Sequence, residues 1–144
     1  MIEPDTIKLL RECDAGIKMG VSSIDKVLDY VHDEKLRKCL EDCKNDHDKL
    51  KEDIQALISK YHDDGKEPDP MAKGMSWIKT NVKLAMDESD GTIADLMTDG
   101  CNMGVKSLSR YLNQYKAADE KSKSIAKHLI KIEERLTEDV RPFL

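Results

Sequence analysis

Two cysteines and two histidines are the side chains most able to do chemistry. Cys43 and His47 stand one helical turn apart, while Cys101 and His128 fall near the middles of two later helical stretches. Two thiolates and two imidazoles can hold zinc in a tetrahedral site. However, no close Cys-x-x-Cys pair fixes such a geometry, and buried cysteine is usually a small core residue. We therefore expect no metal or cofactor, with a zinc or iron site on these four residues as the alternative.

Other catalytic patterns are missing from the sequence. Ser22, Ser23 and Ser107 have no histidine at a helical neighbour position, and no glycine-rich elbow surrounds a serine. Neither Gly-x-x-x-x-Gly-Lys-Ser nor Gly-x-Gly-x-x-Gly occurs, so the usual phosphate-binding loops are lacking. We expect that the protein is not an enzyme.

Long amphipathic helices must position these side chains. Apolar residues recur at three- and four-residue intervals over residues 4–32, 36–61, 93–115 and 119–142, which predicts helices A, B, C and D. Only a few residues separate A from B and C from D, and such short joins produce antiparallel hairpins. The fold class is therefore all-α, a four-helix bundle.

The connection between helices B and C is much longer than a hairpin needs. It contains two prolines, and Asp69 can cap a short fifth helix that begins at Pro70. Met71, Met75 and Ile78 begin the apolar stripe of that helix, which we expect to pack on the bundle. A connection of roughly 28 residues can cross a bundle about 40 Å long, so we predict a long crossover between the hairpins.

An internal repeat links the two hairpins. Residues 16–26 align without gaps on residues 100–110, so helix C resembles helix A. The aligned glycines, each pair four residues apart on one helix face, are Gly16 with Gly20 and Gly100 with Gly104. Glycine in a helix costs up to about 1 kcal/mol relative to alanine, which favours a packing reason. We predict close packing of helices A and C at these glycines.

Three segments carry a family resemblance: residues 15–20, residues 75–78 and the segment centred on Gly100. Through them the chain resembles the ferritin-like superfamily and, within it, an uncharacterised bacterial four-helix family described only as a domain of unknown function. The resemblance spans nearly the whole chain. It implies a bundle with a left-handed crossover and, in catalytic relatives, a di-iron centre used for oxidation or iron handling.

The sequence departs from the di-iron pattern. Such a centre needs two Glu-x-x-His motifs and two further glutamates, but Lys44 stands three residues before His47 and Ile125 three before His128. We therefore expect the di-iron site to be absent. The resemblance implies that the family's glutamate position in helix A falls near Cys13 and that its repeat equivalent in helix C is Met97. The nearby carboxylates are expected to point away from the apolar stripe: Glu12, Asp14, Asp95 and Asp99.

Composition sets the remaining limits. The 144 residues suffice for one domain, 1–144, and 37% charged with 4% aromatic residues suits amphipathic helices. The net charge of -5, with both signs interleaved, disfavours nucleic-acid binding. No apolar run approaches a membrane span, the first residues lack a secretory signal, and the helical cysteines are expected as thiols. We predict a cytoplasmic protein that does not bind membranes.

Function is predicted at the level of class. The first hypothesis is a non-enzymatic binding or scaffold protein, as a ferritin-like bundle without di-iron ligands and with a homodimer as one state. The second is a metal-binding or redox protein that uses Cys43, His47, Cys101 and His128, or nearby carboxylates such as Asp46. The third is a helical adaptor that pairs with another protein.

Overall fold

The four predicted long helices are present. The computed structural model describes residues 2–68 and 89–144, and these contain no β-strand. The predicted short helix after Pro70 lies outside the described residues. The helices are α1 (Pro4–Leu28), α2 (Glu34–Lys60), α3 (Asp90–Gln114) and α4 (Glu120–Val140), followed by a 3-10 turn at Arg141–Phe143.

Side-chain caps determine where three of the helices begin. The Asp33 carboxylate accepts hydrogen bonds from the first turn of α2, the Ser89 hydroxyl from α3 and the Asp119 carboxylate from α4. Helix α1 begins instead at Pro4, whose missing N–H costs nothing in the first turn. Each start fixes which residues of the following helix form its buried stripe, because the helical period then sets the face.

Two hydrogen bonds at each end of the bundle establish the helix directions. The backbone N–H groups of His32 and Asp33 donate to the carboxylate of Asp90 at 2.8 and 2.9 Å, so α3 begins beside the start of α2. At the opposite end, Asp119 N–H donates to the Thr6 hydroxyl at 2.9 Å, and Ala117 N–H donates to the Asp5 carboxylate. Helices α1 and α4 are therefore parallel, as are α2 and α3, and the connection between α2 and α3 joins opposite ends of the bundle.

Burial is concentrated on one stripe of each helix. The largest fully buried side chains come from all four helices and include Leu9, Leu40, Ile93 and Leu129. Helices α1 and α2, α3 and α4, and α2 and α4 pack extensively, whereas α1 and α3 are the neighbouring pair in least contact. None of the helices in the described part of the chain combines the length and apolar character that crossing a bilayer requires.

Asp14 corrects one prediction. We expected its carboxylate to point away from the core, but the side chain is fully buried. It accepts hydrogen bonds from Gln55 Nε2 at 2.8 Å and from the backbone N–H of Lys66 at 3.0 Å, and it pairs with Lys18 Nζ at 2.9 Å. Burial is tolerated because the segment that follows α2 folds back over α1 and supplies donors to the carboxylate.

Gly65 allows this return of the chain. Its φ is +77°, in the left-handed region that favours glycine, and a Cβ at Gly65 would collide with Asp14 Oδ2. We expect Gly65→Ala to lower the free energy of unfolding by about 2–4 kcal/mol, from backbone strain and displacement of the buried carboxylate. Urea denaturation measures the loss. Gly91→Ala is the control, because a Cβ there makes only ordinary contacts, and a variant Gly65→Ala as stable as this control would contradict the prediction.

Candidate functional site

His47 is the buried centre of a polar cluster. As the four-residue spacing predicts, Cys43 and His47 share the buried face of α2, and His47 is 1% exposed. Its Nδ1–H donates to the backbone carbonyl of Cys43 at 2.8 Å, while Nε2 lies 3.1 Å from Oε1 of Glu133 on α4. With Nδ1 as donor, the Nε2 contact requires one further proton shared between imidazole and carboxylate. The two side chains therefore form a charge-assisted pair across the bundle.

Two thiols complete the cluster. Cys43 Sγ lies 3.6 Å from His47 Nδ1, and the Cys101 thiol on α3 lies close enough to Glu133 for burial and the carboxylate charge together to raise its pKa. Cys43, His47, Cys101 and Glu133 are called the buried polar cluster below. The cluster draws on α2, α3 and α4, so its members meet only when the two hairpins pack together.

The pKa values in the cluster reflect burial and this pairing. Burial lowers the pKa of His47, but hydrogen bonds with Cys43 and Glu133 outweigh it and raise the pKa to about 10. Burial, reinforced by Glu133, raises the pKa of Cys101 well above its ordinary value, and burial also raises that of Cys43. At neutral pH the imidazole is therefore charged and both thiols are protonated.

His128 does not join the cluster. The structure places it on the exposed face of α4, so the fourth member of the predicted Cys and His set is wrong. Glu133 takes that place, and the sequence analysis missed it. One signal was available: Glu133 and His47 each stand thirteen residues beyond the first residue of their helix. The correspondence is counted from the helix starts, since the two positions lie 86 residues apart and the repeat of α1 in α3 has an offset of 84.

Both imidazole nitrogens of the cluster are already bonded within the protein. Among residues 2–68 and 89–144, no three His, Cys, Asp or Glu side chains are placed to hold an ion together. Within the cluster, His47 Nδ1 donates to the Cys43 carbonyl and also lies 3.6 Å from Cys43 Sγ, while Nε2 pairs with the Glu133 carboxylate, so both nitrogens already have protein partners. The alternative zinc or iron site stays a prediction that this geometry does not favour.

Two of the repeated glycines face the buried polar cluster. A Cβ at Gly20 would lie 2.7 Å from His47 Nε2, and a Cβ at Gly104 would lie 3.5 Å from the Glu133 carboxylate. The missing side chain at Gly20 therefore gives the imidazole room to reach across to Glu133. This corrects the prediction that the glycines bring α1 and α3 together, because their neighbours belong to α2 and α4.

The other two glycines make no close contact. A Cβ at Gly16 would meet Leu129 of α4 at 3.7 Å, an ordinary contact, and no atom of the described residues lies within 4 Å of a Cβ at Gly100. All four glycines instead border one cavity, where small residues leave space between α1 and α3.

The cavity has a volume of about 300 Å³ and lies between α1, α3 and α4. His47, Glu133 and Cys101 stand on its wall, and the pair formed by Glu12 and Lys66 stands at one end. Protein interiors rarely contain empty spaces larger than a water molecule. The apolar side chains of the lining include Met19, Ile24, Leu96, Met97, Leu108 and Leu129.

No protein family, curated protein or solved structure matches the chain. A largely apolar cavity with a few convergent polar groups, one of them with a strongly shifted pKa, is the usual form of a small-molecule site.

Proposed function

We propose that the chain is a non-enzymatic binding protein that takes up a small apolar molecule in the cavity between α1, α3 and α4. The observation that carries the proposal is a space of about 300 Å³ with mainly apolar walls. An internal cavity of about 150 Å³ is enough to bind benzene, and small-molecule sites begin near 300 Å³. Filling this space recovers contacts that the helices do not make with one another.

The buried polar cluster supports a binding role rather than a catalytic one. The charges of His47 and Glu133 neutralise each other, and the thiols of Cys43 and Cys101 are held protonated by burial. A nucleophilic thiol needs the opposite, a lowered pKa. In the proposed role the cluster provides a hydrogen-bonding wall to an apolar site.

A ferritin-like relationship is part of the proposal. The parallel pairing of α1 with α4 and of α2 with α3, with a connection between opposite ends of the bundle, is the arrangement that relationship implies. Cys13 and Met97, both buried, stand at family glutamate positions, which supports a bundle without di-iron ligands. A cytoplasmic location and a homodimeric state stay predictions.

Uptake of a fluorescent apolar probe tests the proposal. N-phenylnaphthylamine brightens in apolar surroundings, and we expect saturable binding to the wild-type chain. Gly16→Leu places a branched side chain in the cavity and should weaken binding at least about tenfold. Gly16→Ala is the matched control, because its Cβ makes only the ordinary contact with Leu129 and should leave the probe bound. Circular dichroism checks that both variants fold.

A second readout needs no variant in the cavity. Met19, Met97 and Met103 line the cavity, so bound probe should shift their methyl resonances in a sample labelled with ¹³C at methionine methyl groups. A wild-type chain that takes up no probe, or probe binding that leaves all three resonances in place, would overturn the proposal.

A further inference from the structure

The cavity is long and narrow. Its lining runs along α1 from Glu12 to Ile24 and along α3 from Leu96 to Tyr111. At 1.5 Å per helical residue, these stretches measure about 18 and 22 Å. This elongated cavity, called the channel below, has a volume of about 300 Å³, and its length suits a single extended aliphatic chain better than a compact ring system.

The two ends of the channel differ in polarity. One end carries Glu12, Lys66 and Tyr111, where Lys66 Nζ lies 2.5 Å from Glu12 Oε1 and where burial and the nearby Glu12 carboxylate raise the pKa of the Tyr111 hydroxyl. The other end is lined chiefly by apolar residues, among them Ile24 and Leu96. Lys66 is 43% exposed while Glu12 is 14% exposed, so the polar end is open to solvent, and the wall on α3 is also open at Met103.

Among the described residues that line the channel, charge is balanced within two pairs. Lys66 neutralises Glu12, and His47 neutralises Glu133. The hydrogen bond that Lys66 Nζ donates to the Glu12 carboxylate raises the pKa of Lys66, so the ammonium group is charged at neutral pH. A ligand with a charged head would have to displace a partner from one of these pairs, leaving a charge without compensation in a partly buried site. An uncharged hydroxyl can instead donate to Glu12 and accept from Lys66 or Tyr111.

We infer that the ligand is a single-chain aliphatic molecule with an uncharged hydroxylated head. The head binds between Glu12, Lys66 and Tyr111, and the chain extends past Gly16 and Gly20 toward Ile24. The inference rests on the proposed function and adds the chemical class of the molecule bound. The flexible methionine side chains along the channel allow it to follow the bends of an alkyl chain.

Four probes of matched carbon number test the inference by competition with N-phenylnaphthylamine. Decanol, decanoate and decylammonium share one chain and differ in head charge, while naphthol is uncharged but compact. At neutral pH, decanol should compete with an affinity at least about tenfold higher than each of the others. Tighter binding of decanoate, decylammonium or naphthol to the wild-type chain would overturn the inference.

Two charge variants locate the head. Glu12→Gln leaves Lys66 uncompensated, so the affinity ratio of decanoate to decanol should rise at least about tenfold. Lys66→Gln leaves Glu12 uncompensated and should raise the ratio of decylammonium to decanol in the same way. Lys44→Gln removes an ion pair with Asp25 remote from the cavity and should leave both ratios unchanged.

The outcomes separate the inference from the proposed function. Unchanged ratios in Glu12→Gln and Lys66→Gln would overturn the placement of the head. If N-phenylnaphthylamine binds but decanol does not compete, the inference fails and the proposed function stands. If neither molecule binds, the proposed function fails and the inference with it.

Discussion

Glu133→Ala should destabilise the bundle by about 3–5 kcal/mol, because it leaves the buried imidazolium of His47 without its partner. His47 is 1% exposed, and Nε2 has the Glu133 carboxylate 3.1 Å away. Removing one member of a buried pair costs far more than the pair itself contributes, since the remaining charge has lost its water as well as its partner. Urea denaturation at neutral pH measures the effect.

The double variant His47→Leu with Glu133→Leu is the control for this prediction. Apolar side chains of similar volume replace a buried ion pair at little cost in many proteins, so the double variant should recover most of the stability lost in Glu133→Ala. If Glu133→Ala costs less than about 1 kcal/mol, the buried pairing described above is contradicted.

The same pair gives a dependence on pH. The pKa of His47 is raised to about 10 in the folded state, compared with about 6.5 in the unfolded chain. The charged imidazole therefore contributes its full stabilisation below about pH 6.5, and this contribution is lost as pH rises through about 10. Stability that depends on His47 should therefore fall by up to about 1.4 kcal/mol per pH unit over this window. The difference in unfolding free energy between wild type and the double leucine variant should decrease from neutral to alkaline pH. Both proteins should also carry Cys43→Ala and Cys101→Ala in this comparison, because His47 and Glu133 themselves shift the pKa values of these thiols.

Gly20→Ala should destabilise the protein although alanine is the better helix former. The added Cβ would lie 2.7 Å from His47 Nε2 and 3.1 Å from its Cδ2, distances that force the imidazole to move. The ring is enclosed and bonded at both nitrogens, so it cannot move without losing a hydrogen bond. Alanine should raise the free energy of unfolding by up to about 1 kcal/mol through helix propensity. Overpacking and the weakened His47–Glu133 pair should lower it by about 2–4 kcal/mol.

Gly100→Ala is the control, because Gly100 is also a helical glycine that borders the cavity, but no atom of the described residues would meet its Cβ within 4 Å. It should gain up to about 1 kcal/mol from helix propensity. Thermal unfolding of the two variants should therefore move in opposite directions. Equal shifts would show that the imidazole of His47 does not depend on the space at Gly20.

Helix positions and caps follow from local sequence. Asp33, Ser89 and Asp119 begin their helices because a short polar side chain satisfies free N–H groups of the first turn. The three- and four-residue spacing of apolar side chains predicted the buried stripe of each helix. The short connections from α1 to α2 and from α3 to α4 predicted the two hairpins. These features depend on residues within one or two helical turns of each other, so they can be predicted from the sequence alone.

The tertiary structure decided which residues meet across the bundle. Whether Gly20 faces α3 or the His47 ring depends on how far one helix is shifted and rotated against another, and neither quantity appears in the spacing of one helix. Glu133 and Asp14 were missed for the same reason, because each is a polar residue whose burial is made favourable by partners on other segments. The positions of the helices and their order along the chain follow from local sequence patterns. The buried polar cluster and the cavity beside it form only when the two hairpins pack together.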